Sequence, residues 1–68
     1  MSFYGKAYRY KNKTIGVYRD PISKIFMAGH FKKHLGTYQR VLHTVSKRPD
    51  EVQKKLDEFA MFYRLQEV

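Results

Sequence analysis

The apolar residues near the end of the chain repeat at the spacing of an α-helix, and this pattern limits the possible folds. Intervals of four, three and four residues separate Val52, Leu56, Phe59 and Tyr63. Residues at these intervals share one helix face. Ser46 is a candidate N-cap, and Pro49 suits a first turn because that position needs no backbone N–H. The sequence therefore predicts one amphipathic helix that begins near Pro49.

The preceding segments are rich in β-branched and aromatic residues and predict short strands. We expect strands over residues 3–10, 14–19, 24–31 and 37–45. Turn-forming residues at 11–13 and 20–23 separate the first three. Strands followed by one helix, with short links, predict an α+β fold. In it a small antiparallel β-sheet of three to four strands packs against one C-terminal α-helix, and the other sheet face stays uncovered.

Length and the lack of cysteine set further limits. A chain of 68 residues has an interior for one core, so we expect a single domain over residues 1–68. Without cysteine there is no disulfide framework, no Cys-ligated zinc and no thiol nucleophile, and a cytoplasmic location is slightly favoured.

The longest apolar run, residues 26–28, is too short to span a membrane. Residues 1–6 lack the apolar stretch of a signal peptide.

Positive charge is concentrated in the predicted sheet. The chain has 14 Lys and Arg against 6 Asp and Glu, a formal charge of +8. Residues 1–48 carry 11 of these cations and one acid, whereas residues 49–68 carry three cations and five acids. This asymmetry indicates a polyanionic partner on the side of the sheet. The alternative, that the net charge only prevents association, remains open.

Tyrosines are interleaved with these cations, a combination that suits nucleic acid. Cations neutralise phosphates, and aromatic rings stack on exposed bases. We expect about half of the tyrosines to serve packing between strands instead. The candidate nucleic-acid-binding residues are Arg9, Lys11, Lys13, Tyr18, Arg19, Lys24, Lys32, Lys33, His34 and Arg40.

The histidines offer weak signals of a metal site or a catalytic site. His30 and His34 are four residues apart, but this spacing brings ligands together only in a helix. No acidic residue lies between residues 21 and 49 to complete a metal site. A metal-free ribonuclease needs an acid and a base beside phosphate-binding cations, and its candidates are His30 or His34 with Lys32, Lys33 and Arg40. We expect no catalytic residue, no metal and no cofactor.

Three short motifs carry a resemblance to a known family. They are Gly16-Val17-x-Arg19, Phe26-x-Ala28 and Leu35-Gly36-Thr37-Tyr38. This segment resembles the AP2-type DNA-binding domain of plants and phages and, more loosely, the amino-terminal arm-binding domain of tyrosine recombinases. The resemblance covers residues 16–38 and implies a three-stranded sheet that lies in the major groove of duplex DNA. It places Tyr18, Arg19 and His34 closest to the bases.

Two classes of function follow. The first is a small non-enzymatic protein that binds nucleic acid, with duplex DNA favoured. The alternative is a regulatory or inhibitory protein, of a kind that phages encode, which binds an acidic surface of a partner protein. Its apolar anchors would be Phe31, Tyr38, Met61 and Phe62. A cationic outer sheet face favours the first class, and an apolar one favours the second. Neither class involves a membrane.

Overall fold

A computed structural model describes residues 3–68 as one antiparallel sheet and one helix. The elements are β1 (Tyr4–Tyr10), β2 (Lys13–Arg19), β3 (Phe26–Lys32), β4 (Thr37–Arg40), α1 (Pro49–Tyr63) and β5 (Gln66–Glu67). The strand order is β4-β3-β2-β1-β5, and α1 packs on β1, β2 and β3. The α+β class is confirmed, with five strands in place of the three to four expected. In residues 3–68 no helix has the length and apolar character needed to cross a membrane.

The sheet differs from the prediction at both edges. β4 ends at Arg40 and does not continue to residue 45. The N–H groups of Val41 and Leu42 both donate to the Ala28 carbonyl oxygen, at 2.8 and 3.3 Å, so the chain leaves the strand and packs both side chains on the core. At the other edge, β5 pairs with β1. Its two polar residues show no apolar alternation from which a strand could be predicted.

Two tight turns follow the sequence signals. Lys11 and Asn12 join β1 to β2 with φ angles of 49° and 64°, and two positive φ angles match the twist of paired strands. Between β2 and β3, the Asp20 carboxylate accepts hydrogen bonds from the Ser23 N–H at 2.7 Å and hydroxyl at 2.8 Å. These bonds lower the pKa of Asp20. Both predicted turns are confirmed.

The core lies between α1 and the inner sheet face. Its fully buried side chains are Ile15, Val17, Val52 and Leu56. Burial of each contributes about 1.5–3 kcal/mol. The helix begins at Pro49 as predicted, but its N-cap is Arg48, without a side-chain cap. The Ser46 hydroxyl instead accepts from the Arg48 N–H and donates to Glu51 Oε1.

Gly29 allows β4 to join the sheet. It lies opposite Gly16 in β2 and Arg40 in β4. A Cβ atom at Gly29 would overlap the backbone carbonyl of Gln39. Glycine therefore permits a close approach of β4 that other residues would prevent.

A hydrogen-bond chain ties α1 to β1. The Tyr8 hydroxyl donates to Asp57 Oδ1 at 2.7 Å, and Gln53 Nε2 donates to the same oxygen at 2.9 Å and to the Lys6 carbonyl oxygen at 3.2 Å. The hydrogen bond to Asp57, with burial and the charge of Asp57, raises the pKa of Tyr8 to about 12. The helix position is thus fixed by polar contacts as well as by the core.

Substitution of Gly29 by alanine tests the close approach of β4. Gly29→Ala should lower the free energy of unfolding by about 3 kcal/mol, because the new methyl group displaces a backbone. Gly36→Ala is the matched control: its surroundings are open and only its φ of 65° is unfavourable, a cost of about 1 kcal/mol. Urea denaturation measures both. Equal losses would contradict the role of Gly29.

Tyr8→Phe tests the link between α1 and β1. The variant keeps the ring but removes the donor to Asp57, so we expect the free energy of unfolding to fall by about 1–2 kcal/mol. At pH values below 10, the ordinary pKa of tyrosine, the raised pKa of Tyr8 stabilises the native state. This contribution is lost as pH rises from 10 to about 12. Urea titrations should therefore show the difference between wild type and variant shrinking over that range. A constant difference would contradict this account.

Candidate nucleic-acid interface

Cations from two hairpins converge at one end of the sheet. Because neighbouring strands are antiparallel, the β1–β2 turn and the β3–β4 turn emerge at the same end. The region is termed the basic end and consists of Arg9, Lys11, Lys13, Lys32, Lys33 and His34. Six of the ten candidate residues thus lie together.

Two open clefts cross the basic end. The larger has a volume of about 550 Å³ and is lined by Lys13, His30, Phe31, Lys32, Lys33, His34 and Gln39. The smaller has a volume of about 380 Å³ and is lined by Arg9, Asn12, Lys13, Thr14, His30, Phe31 and Lys33. Four residues are common to both, so the clefts form one continuous surface. No acidic residue lines either cleft.

The charges of the basic end have no acidic partners within residues 3–68. The ion pairs of this part of the chain lie in and before α1: Arg48 with Asp50 and Glu51, and Lys55 with Glu58. Lys11 makes a different contact, with its Nζ 5.2 Å from the centroid of the Tyr10 ring. Uncompensated cations around open clefts produce a positive potential that attracts anions.

His30 lies where the two clefts meet and is 8% exposed. Burial lowers the pKa of its imidazole, and the positive charges of Lys13 and Lys32 lower it further. The neutral imidazole is therefore favoured in the free protein. A bound anion would oppose the effect of the two lysines.

The sheet face opposite α1 is aromatic at its centre. The rings of Tyr18 and Tyr38 stack with centroids 4.2 Å apart and planes at 10°. Phe31 and Phe3 meet Tyr38 edge-on, at 5.1 and 6.1 Å between centroids. The Tyr18 hydroxyl contacts Met27 Sδ at 3.7 Å. This face is neither uniformly cationic nor an open apolar patch, because the rings cover one another.

The other candidate residues lie outside the basic end. Arg19 and Lys24 flank the β2–β3 turn at the opposite end of the sheet. Arg40 and Tyr18 line a separate cleft together. Burial raises the pKa of Tyr18, and the charge of Arg40 opposes that rise. Tyr18 itself is 6% exposed. Its stacked ring therefore serves packing and presents little surface to a ligand.

Phe31 lines both clefts of the basic end, although it was not among the ten candidate nucleic-acid-binding residues. Its position in the sequence indicates a place beside the cations on the outer sheet face. It alternates with Met27 and Gly29 along β3, which puts it on the outer face, and it directly precedes Lys32 and Lys33.

The histidines were also considered as metal ligands and as catalytic groups. Within residues 3–68, no group of three or more His, Asp or Glu side chains could hold a metal ion. His30 and His34 line the larger cleft together with Lys32 and Lys33. Arg40, also considered for a ribonuclease site, lies outside both clefts.

Comparisons with known proteins yield no relative: no family model, curated protein or solved structure matches the chain. The resemblance to the AP2-type domain therefore stays a prediction.

The shifted pKa of His30 predicts a pH-dependent stability. Because the unfolded chain binds this proton more readily, the free energy of unfolding should fall as pH decreases through the ordinary value of 6.5. His30→Gln should remove this part of the decrease. Urea denaturation between about pH 8 and pH 5 measures it. An equally steep decrease in the variant would show that other groups cause it.

Proposed function

We propose that this chain is a small non-enzymatic protein that binds nucleic acid and contacts its phosphates through the basic end. The observation that supports the proposal most strongly is the convergence of cations from two hairpins around clefts without an acidic residue. Cations so arranged neutralise a phosphate backbone and release its condensed counterions. The gain in counterion entropy drives binding.

An extended polyanion suits this surface better than a single small anion. The clefts are open and continuous, and their lysines and arginine come from β1, β2, β3 and the turn that follows β3. A chain of regularly spaced phosphates could engage several of these groups at once. Duplex DNA and unpaired strands of DNA or RNA all supply such a chain, and the duplex favoured by the sequence analysis is the first ligand to test.

The helix is the wrong element to enter a groove. Its inner face is occupied by the core through Val52, Leu56 and Ala60. Its exposed side carries Glu58, and half-buried Asp57 accepts the hydrogen bond from Tyr8. Carboxylates repel phosphates, so we assign α1 a supporting role and place binding at the turns.

A pair of double substitutions tests the proposal. Lys32→Ala with Lys33→Ala should weaken binding of a labelled random duplex. It should also flatten the dependence of log affinity on log salt by about 0.9 for each phosphate that the variant no longer neutralises. The matched control is Lys54→Ala with Lys55→Ala, which removes the same charge from the exposed side of α1. Fluorescence anisotropy between about 50 and 200 mM salt gives both slopes.

Three results would contradict the proposal. Equal weakening in the two double variants would show that binding depends on net charge alone and not on a site at the basic end. Absence of wild-type binding at low salt to the duplex and to unpaired DNA and RNA strands titrated alongside it would remove nucleic acid as the partner. Cleavage of the labelled RNA strand during its titration would contradict the non-enzymatic part and return attention to His30 and His34.

A second candidate, binding to a partner protein, draws support from a different surface. Met61 and Phe62 on α1 are 80% and 79% exposed, and Tyr63 beside them is 53% exposed. Adjacent exposed apolar side chains are typical anchors of protein interfaces. Binding to a partner protein becomes the favoured function if the wild-type protein binds no nucleic acid.

A further inference from the structure

Building on the proposed function, we infer that the basic end takes an unpaired strand of DNA or RNA, with one base stacked on Phe31. The juxtaposition that supports this is an aromatic ring set among phosphate-binding cations. Phe31 lines both basic clefts, and Arg9, Lys13 and Lys33 line the smaller one with it. Contact with phosphates alone would not use the exposed part of this ring.

The sheet register places Phe31 in a row of side chains on the outer face. Phe31 pairs with Tyr38 of β4. The β2–β3 register, continued beyond the Gly16–Gly29 pair, puts Thr14 beside Phe31, and Thr14 pairs with Arg9 of β1. Adjacent strands are about 4.8 Å apart, so the Arg9 backbone lies about 10 Å from that of Phe31. An extended Arg side chain spans much of this distance, which lets it hold a phosphate next to a base on Phe31.

The Phe31 ring is held in place before any ligand binds. It is partly exposed and meets the Tyr38 ring edge-on, at 5.1 Å between centroids and 67° between planes. Tyr38 is in turn stacked on buried Tyr18. A ring fixed by its neighbours loses little freedom when a base stacks on it.

The ring distinguishes unpaired from paired strands. In a duplex, each internal base is covered on both faces by its neighbours, so only backbone and groove edges are available to the protein. An unpaired base exposes its faces, and every base can stack on an aromatic ring. We therefore expect the protein to bind an unpaired strand more tightly than a duplex, with little dependence on base sequence.

Substitutions at Phe31 separate stacking from phosphate contact. Phe31→Leu keeps an apolar side chain against Tyr38 but removes the ring, and Phe31→Tyr keeps the ring. Phe62→Leu, the same substitution at an exposed ring outside both clefts, is the matched control. Anisotropy titrations use labelled oligothymidine, oligouridine and a duplex, each of about ten nucleotides per strand. The DNA and RNA arms show whether the sugar matters.

Phe31→Leu should weaken binding of both unpaired strands about tenfold and change duplex binding less than about twofold. Phe62→Leu should bind like wild type, and Phe31→Tyr should restore most of the binding that Phe31→Leu loses. Thermal melts by circular dichroism identify any variant that has lost its fold. Should the Leu variant unfold, wild type and Phe31→Tyr still test whether unpaired strands bind more tightly than the duplex.

A tryptophan at this position gives a direct readout of stacking. The chain contains no Trp, so Phe31→Trp introduces a single indole fluorophore. Its emission should be quenched by oligothymidine and little affected by the duplex. Equal quenching by both ligands would overturn the inference.

Three outcomes separate failure of the inference from failure of the proposed function. If Phe31→Leu leaves unpaired-strand binding unchanged, or weakens duplex binding equally, the stacking role is overturned. If the Lys32 and Lys33 double substitution still reduces binding and flattens its salt dependence, the phosphate site stands. If wild type binds none of the ligands, the proposed function fails, and the inference fails with it.

Discussion

The packing of α1 on the inner sheet face is the contact on which the rest of the structure depends. Val52 and Leu56 meet Ile15 and Val17 in a fully buried layer. Because strand side chains alternate between faces, burial of one face decides what the other presents. The aromatic outer face is therefore a consequence of this apolar layer. The basic end also depends on antiparallel pairing, which carries the β1–β2 and β3–β4 turns to one end of the sheet.

Local signals explain which parts of the fold could be predicted from sequence. The turn at Asp20 and the helix start at Pro49 depend on neighbouring residues, and both were identified. The end of β4 depends on hydrogen bonds from Val41 and Leu42 to Ala28, far away in sequence, and β5 depends on its pairing with β1. No local pattern encodes such pairings, so the extent of the sheet was not predictable.

The candidate site was predictable to a similar degree. Residue type and strand alternation identified the lysines, but not which turns share an end. Antiparallel pairing sends alternate turns to opposite ends, which separates Lys24 from Lys33. The AP2-type resemblance placed Tyr18 close to the bases, whereas stacking with Tyr38 buries it. Burial of this kind arises from tertiary packing and has no signature in the spacing of residues.

The sheet ends in strands of four and two residues, β4 and β5. Short edges offer few unpaired N–H and C=O groups, so they are poor templates for the addition of another strand. Under the proposed function, a polyanion would bring many copies of the chain close together. The short edge strands would then disfavour cross-β assembly between those copies.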